Sequence, residues 1–174
     1  MKYIVFFRGI NVGGHKKTPM AELKKMFSQM GFTKVNTFLN SGNVIFETEP
    51  LQESELHKKI DENFRKHFGF ESKIMIRSEE QIQDLIALNP FQEIESHKDI
   101  TLYVSFLPSK IEGKIGLPYE EKGFKILQKT AREVFSVVNV KIKPSVKAMS
   151  FLEKQFGPDL TTRNWNTVLK TAKL

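Results

Sequence analysis

The chain has 174 residues, room for one domain or two small ones, and its 40% apolar content with 15 phenylalanines supplies a core, so a disordered polymer and a large multidomain machine are both excluded. It has no cysteine, which removes disulfides, thiolate metal sites and cysteine nucleophiles, and no apolar run approaches the roughly 18 residues of a membrane helix. The net charge is +7 and uneven: residues 1–35 carry seven basic side chains against one acidic, residues 140–174 seven against two, and the middle is net acidic. Arg8 follows the first apolar run too closely for a secretory signal, so the expected location is the cytoplasm, with no membrane association. Basic ends that meet in space would attract polyanions, although lysine also keeps a small protein soluble.

Residues 3–7 are continuously apolar, the pattern of a strand buried on both faces. After a glycine-rich stretch, Thr18 is the expected N-cap and Pro19 the first position of a helix whose inner stripe is Met20, Leu23, Phe27 and Met30, stopped by Gly31. Residues 35–39 and 44–47 read as strands, joined by Asn40-Ser41-Gly42-Asn43, where asparagine and glycine suit positive φ. Leu56, Ile60, Phe64 and Phe68 mark a helix over 51–68 that ends at Gly69, and 73–76 is a short strand. The order is βαββαβ.

Ser78 with Gln81 forms a capping box for a linking helix that Asn89-Pro90-Phe91 ends. Residues 101–106 alternate as a strand, and Pro108-Ser109 opens a short helix terminated by Gly116-Leu117-Pro118. Two strands follow at 124–127 and 134–138. Ser145 caps a helix with Val146, Met149, Leu152 and Phe156 inward, and Thr161 or Thr162 opens a last helix bearing Trp165, Val168, Leu169 and Ala172 on one stripe. The expected fold is α+β, a duplicated ferredoxin-like arrangement: βαββαβ over 1–78, then βαββα plus a C-terminal helix over 79–174. Its sheets are antiparallel or mixed, with helices on one face. A single such layer leaves one sheet face to be covered by the second half or by another chain, so the oligomeric state stays open.

In a βαββαβ unit the first β-to-α loop and the hairpin project from the same end. That edge gathers Arg8, Asn11, Gly13, Gly14, Lys16, Lys17, Asn40, Ser41 and Asn43, with Arg163, Asn164 and Asn166 joining from the last helix. Glycines let backbone N–H groups approach an anion, and a helix N-terminus adds partial positive charge, so a phosphate-bearing ligand, nucleotide or nucleic acid, is the expected guest. Gly9 and Gly14 have P-loop spacing, but His15 and Lys16 stand where Lys-Ser/Thr is required, and no G-x-G-x-x-G occurs in the loop. Residues 41–46 lack the stacking aromatics of sheet-face RNA readers. His15, His57, His67 and His97 lack metal spacing, and Ser41 has neither a nucleophile elbow nor a placed base, so neither metal, cofactor nor catalytic residue is assigned.

Phe7 through Gly14, Pro19 through Leu23, Ser41 through Phe46, Asn89-Pro90-Phe91, Leu152-Glu153-Lys154 and Thr161 through Val168 together resemble the bacterial domain-of-unknown-function family 1697, over nearly the whole chain. The resemblance implies a cytosolic α+β protein with no established activity. Three functions remain: an anion-binding module, an enzyme stabilising charge at the same edge without a covalent nucleophile, and a structural or partner-binding protein.

Overall fold

In the computed structural model, which describes residues 1–111, 115–142 and 145–174, every expected strand of the first half is present. The elements are β1 (Lys2–Phe7), α1 (Met20–Gln29), β2 (Thr33–Phe38), β3 (Asn43–Glu47), α2 (Glu53–Phe68), β4 (Ile74–Ser78) and α3 (Glu79–Ala87). They form an antiparallel sheet of order β2-β3-β1-β4. The rest comprises β5 (Ile100–Phe106), β6 (Tyr119–Glu121), β7 (Phe124–Lys129), β8 (Glu133–Asn139), a 3-10 turn at Val140–Ile142, α4 (Ser145–Phe156), β9 (Thr161–Asn164) and α5 (Trp165–Thr171). Its sheet is antiparallel too, in the order β6-β7-β8-β5-β9. The protein is therefore α+β. Two compact units result, residues 1–83 with 170–174 and residues 84–169. No helix among the described residues is long and apolar enough to cross a membrane.

In the first unit, alternate residues of β1 follow the pleat to opposite faces. Tyr3, Val5 and Phe7 meet Leu23, Met26 and Phe27 of α1 and Leu56, Ile60 and Phe64 of α2, which places both helices on one sheet face. Phenylalanine supplies the density, with Phe32 and Phe46 stacked at 4.4 Å and Phe7 against Phe64 at 4.9 Å, within the range of favourable ring pairs. Ile4, Phe6, Ile45 and Met75 occupy the opposite face and are buried as well, as the unbroken apolar run of β1 requires.

Local chemistry moves several boundaries. Helix α1 begins at Met20, with Pro19 at the capping position and no side-chain cap. Thr18 is not the cap, because its N–H goes to Asn11 Oδ1 (2.7 Å) and its hydroxyl to the Lys16 carbonyl (3.1 Å). In the β2–β3 hairpin the positive φ values fall on Leu39 (58°) and Gly42 (76°), not on the asparagines. Asn43 is instead the first residue of β3, fully buried, and its Nδ2 donates to the Phe38 carbonyl (2.6 Å) and to Ser41 Oγ (3.1 Å), which closes the turn from inside. The Ser78 capping box forms in both directions, Ser78 N–H to Gln81 Oε1 (2.9 Å) and Gln81 N–H to Ser78 Oγ (3.1 Å).

The second half departs further from the expected order. Residues 108–111 and 115–118 hold no helix, and the middle of that expected helix lies outside the described residues; so do the side chains of Ser145 and Val146. Thr161 and Thr162 do not open a helix. They begin β9, which pairs with β5 from Phe106↔Thr161 to Tyr103↔Asn164, and the helix starts only at Trp165, whose ring packs on Phe91 and Phe135. β-branched threonines favour the extended form once a partner edge is available. On β8, Ser136 is fully buried and, among the described residues, its Oγ has no hydrogen-bond partner. Ser136→Ala is therefore expected to leave stability unchanged or raise it by about 1 kcal/mol, since it removes a desolvated hydroxyl; urea unfolding would show this as an unchanged or higher midpoint.

Candidate functional site

The end of the first unit where β1 leaves its sheet collects three segments. β2 is antiparallel to β3, and β3 to β1, so β2 runs with β1 and delivers the hairpin to that end. β4 is antiparallel to β1 with Ile74 opposite Phe7, so the loop entering β4 arrives there as well. Backbone bonds tie the segments together: Phe7 N–H to the Gly42 carbonyl and Arg8 N–H to the Lys73 carbonyl, both 2.8 Å. Ser72 Oγ adds a bond to the Arg8 carbonyl at 2.9 Å.

Asn11 is the organiser of the first loop. Its φ is +57°, and its side chain accepts from Thr18 N–H and donates to the carbonyls of Thr18 and Asn40, both at 2.9 Å. One side chain thus closes its own loop and clasps the hairpin. Inside that closure Val12 and His15 form an antiparallel bridge around Gly13 and Gly14, with φ of 60° and 78°, a two-residue reversal that needs positive φ at both positions. Gly13, Gly14, His15, Lys16 and Lys17 are all exposed.

The cations at this edge are Arg8, Lys16, Lys17 and Lys73. Arg8 is half-buried, and the lysines are exposed. Lys16 Nζ donates to the Glu71 carbonyl (3.0 Å) and lies over the Phe70 ring, 5.8 Å from its centroid. That carbonyl and that ring are neutral groups, so they fix the position of the ammonium without supplying a counter-charge. Glu71 directs its carboxylate to Arg65 at 2.9 Å. Asn40 and Ser41 are exposed on the hairpin, whereas Asn43 serves the turn from within.

Arg163, Asn164 and Asn166 belong to the second unit. Arg163 is 7% exposed on β9, and its Nη1 donates to Thr161 Oγ1 (2.8 Å) and to the Thr162 carbonyl (3.0 Å). Burial pulls its guanidinium down to about 10, which leaves it charged at neutral pH. Asn164 Oδ1 accepts from Asn166 N–H (2.9 Å) and caps α5, and Asn166 is exposed. Sequence reasoning did not include residues 69–73. The antiparallel order of β4 beside β1 is the signal that would have found them. Among the described residues no group of histidines and carboxylates could hold a metal ion. A groove of about 550 Å³ in the second unit is lined by Asn89, Pro90, Glu93, Pro118, Lys125 and Gln128.

No curated protein matches the chain in sequence. Its fold is similar to that of the conserved bacterial protein SP0830 from Streptococcus pneumoniae, with a TM-score of 0.74 over 99% of this chain and 97% of that one. At 20% identity the likeness is one of fold. A family model described as "Protein of unknown function (DUF1697)" matches residues 1–135, and it is to this family that the chain belongs.

Proposed function

We propose that the first unit is a binding module for a phosphate-bearing or otherwise anionic ligand, nucleotide or nucleic acid, held at the edge built by residues 8–18, 40–43 and 69–73. The observation that carries this reading is the meeting of Arg8, Lys16 and Lys17 of the first loop with Lys73 of the loop before β4, two of three segments that backbone bonds and Asn11 hold together. A surface whose loops are already ordered loses little freedom when it engages a ligand. Arg8 would offer a planar fork to phosphate, and the lysines act as point charges. A cytoplasmic location goes with this reading, since nucleotides and nucleic acids are abundant there.

The parallel between the sheets supports a duplicated ferredoxin-like fold. The order β2-β3-β1-β4 in the first unit is matched by β7-β8-β5-β9 in the second, with β6 added at one edge. In each, the helix before the last strand, α2 or α4, contributes to the core of its own unit.

The test is a titration of labelled nucleic acid and of ATP at low and near-physiological salt. Binding that weakens steeply with salt is expected, and Lys17→Glu, an exposed change that leaves the core intact, is expected to raise Kd about tenfold and to flatten the salt slope by about one counterion. Salt-independent binding, or a Lys17→Glu protein that binds as the parent does, would overturn the assignment.

A further inference from the structure

Two exposed aliphatic side chains stand on the two loops that Asn11 joins. Val12 is 65% exposed at the glycine reversal and Leu39 is 52% exposed at the hairpin. Their neighbours in sequence, Asn11 and Asn40, are joined by the 2.9 Å bond from Asn11 Nδ2 to the Asn40 carbonyl, so the two apolar residues flank one hydrogen bond. Leu39 also holds a φ of +58°, a conformation that a side chain of its kind rarely adopts. A ligand consisting of phosphate alone has no use for either residue.

We infer that this edge takes single-stranded nucleic acid, with the cations on its phosphates and Val12 and Leu39 against unpaired bases. The inference rests on the anionic-ligand reading above and narrows it. A duplex stacks its base faces inside and presents phosphates outward, so it would leave both aliphatic residues in water, whereas a single strand exposes base faces and phosphates together. The sheet cannot supply the apolar contact, because Tyr3, Phe7, Ile4, Phe6 and Ile45 are buried on its two faces. The exposed apolar surface lies instead on the two joined loops, the first of which carries Lys16 and Lys17.

Fluorescence anisotropy with a labelled oligouridine strand, a duplex of the same length and ATP tests this on the full chain and on Leu39→Asn, Val12→Ser and Lys17→Glu. Asparagine tolerates left-handed φ better than leucine, so Leu39→Asn is expected to melt no lower than the parent, and weaker binding by it cannot be ascribed to unfolding. The expected result is a single strand bound about tenfold more tightly than the duplex, and a loss of about fivefold for each aliphatic substitution with the salt slope unchanged. Equal binding of duplex and single strand, or wild-type affinity in both aliphatic variants, would refute the inference while leaving the anionic-ligand reading standing if Lys17→Glu still weakens binding. No binding of any probe removes both. Binding to phosphatidylserine vesicles with none to oligonucleotides also refutes it and assigns the edge to a lipid surface.

Discussion

Gly42→Ala is expected to lower the folding stability by about 3 kcal/mol and the thermal midpoint by roughly 10 °C, by the usual scaling for a chain of this size. Two effects combine. The φ of +76° is unfavourable for any residue with a Cβ, and a Cβ there would lie 2.4 Å from Ile10 Cδ1 and 2.9 Å from Phe7 Cβ. Phe7 cannot retreat, because it sits in the middle of the aromatic core and its N–H bonds the Gly42 carbonyl. If the hairpin backs away instead, that bond stretches together with the clasp from Asn11 to Asn40. Gly9→Ala is the control: its φ is +66°, but nothing lies within 4 Å of the added carbon, so only the conformational part, about 1 kcal/mol, is expected. Ile10→Val removes the atom in closest conflict, so its combination with Gly42→Ala should be less damaging than the sum of the two, a coupling of about 1 kcal/mol in a double-mutant cycle. Equal losses for Gly9→Ala and Gly42→Ala would show that the two loops are not in contact as described.

Where information was local, the sequence carried it. The stripe of α1, the capping box at Ser78 and the αL stop of α2 at Gly69 each depend on residues within one or two turns, and each formed. β9 was not legible, because threonine before a polar residue is also the chemistry of a helix start, and what makes it extended is β5, about 60 residues earlier in the chain. Its two-residue alternation, Thr161 and Arg163 buried against Thr162 and Asn164, is too short to outweigh that local signal. The half-buried Ser105–Thr162 hydroxyl pair, 2.7 Å apart, shows the kind of long-range term involved.

The site divides in the same way. Connectivity alone brought the first loop to the hairpin, since β1 and β2 must point the same way when α1 returns the chain between them. The loop before β4 obeys the same logic, but its residues, Phe70 to Lys73, carry no motif that would mark them in the sequence. The turn residues misled for a different reason. Asn43 suits the turn by its identity, yet its amide bonds the turn from the strand, and the positive φ values fall on Leu39 and Gly42. A residue type predicts that a turn exists better than it predicts which position takes the unusual φ.

Asn11→Ala is expected to cost about 2 to 3 kcal/mol, from two separable sources. Alanine keeps a Cβ at a φ of +57° but offers nothing to stabilise it, and three hydrogen bonds disappear. The Thr18 N–H is the costly one, because Thr18 is 1% exposed and water cannot readily replace the lost oxygen. Asn11→Gly removes the same bonds and relieves the backbone, so it is expected to be about 1 kcal/mol less damaging than alanine, and the difference measures the strain. Asn11→Asp keeps the acceptor for Thr18 N–H but turns a second oxygen toward the carbonyls of Thr18 and Asn40, so it is expected to be no better than alanine. Urea unfolding gives the energies, and amide hydrogen exchange locates them: the Thr18 amide is expected to exchange much faster in all but the aspartate protein, with core amides of β1 slowed or hastened only as far as global stability changes. If alanine, glycine and aspartate were all neutral, the loop would be held by something other than Asn11. The shared position of Lys16, Val12 and Leu39 would then have no fixed origin, because Asn11 is the side chain that joins their two loops.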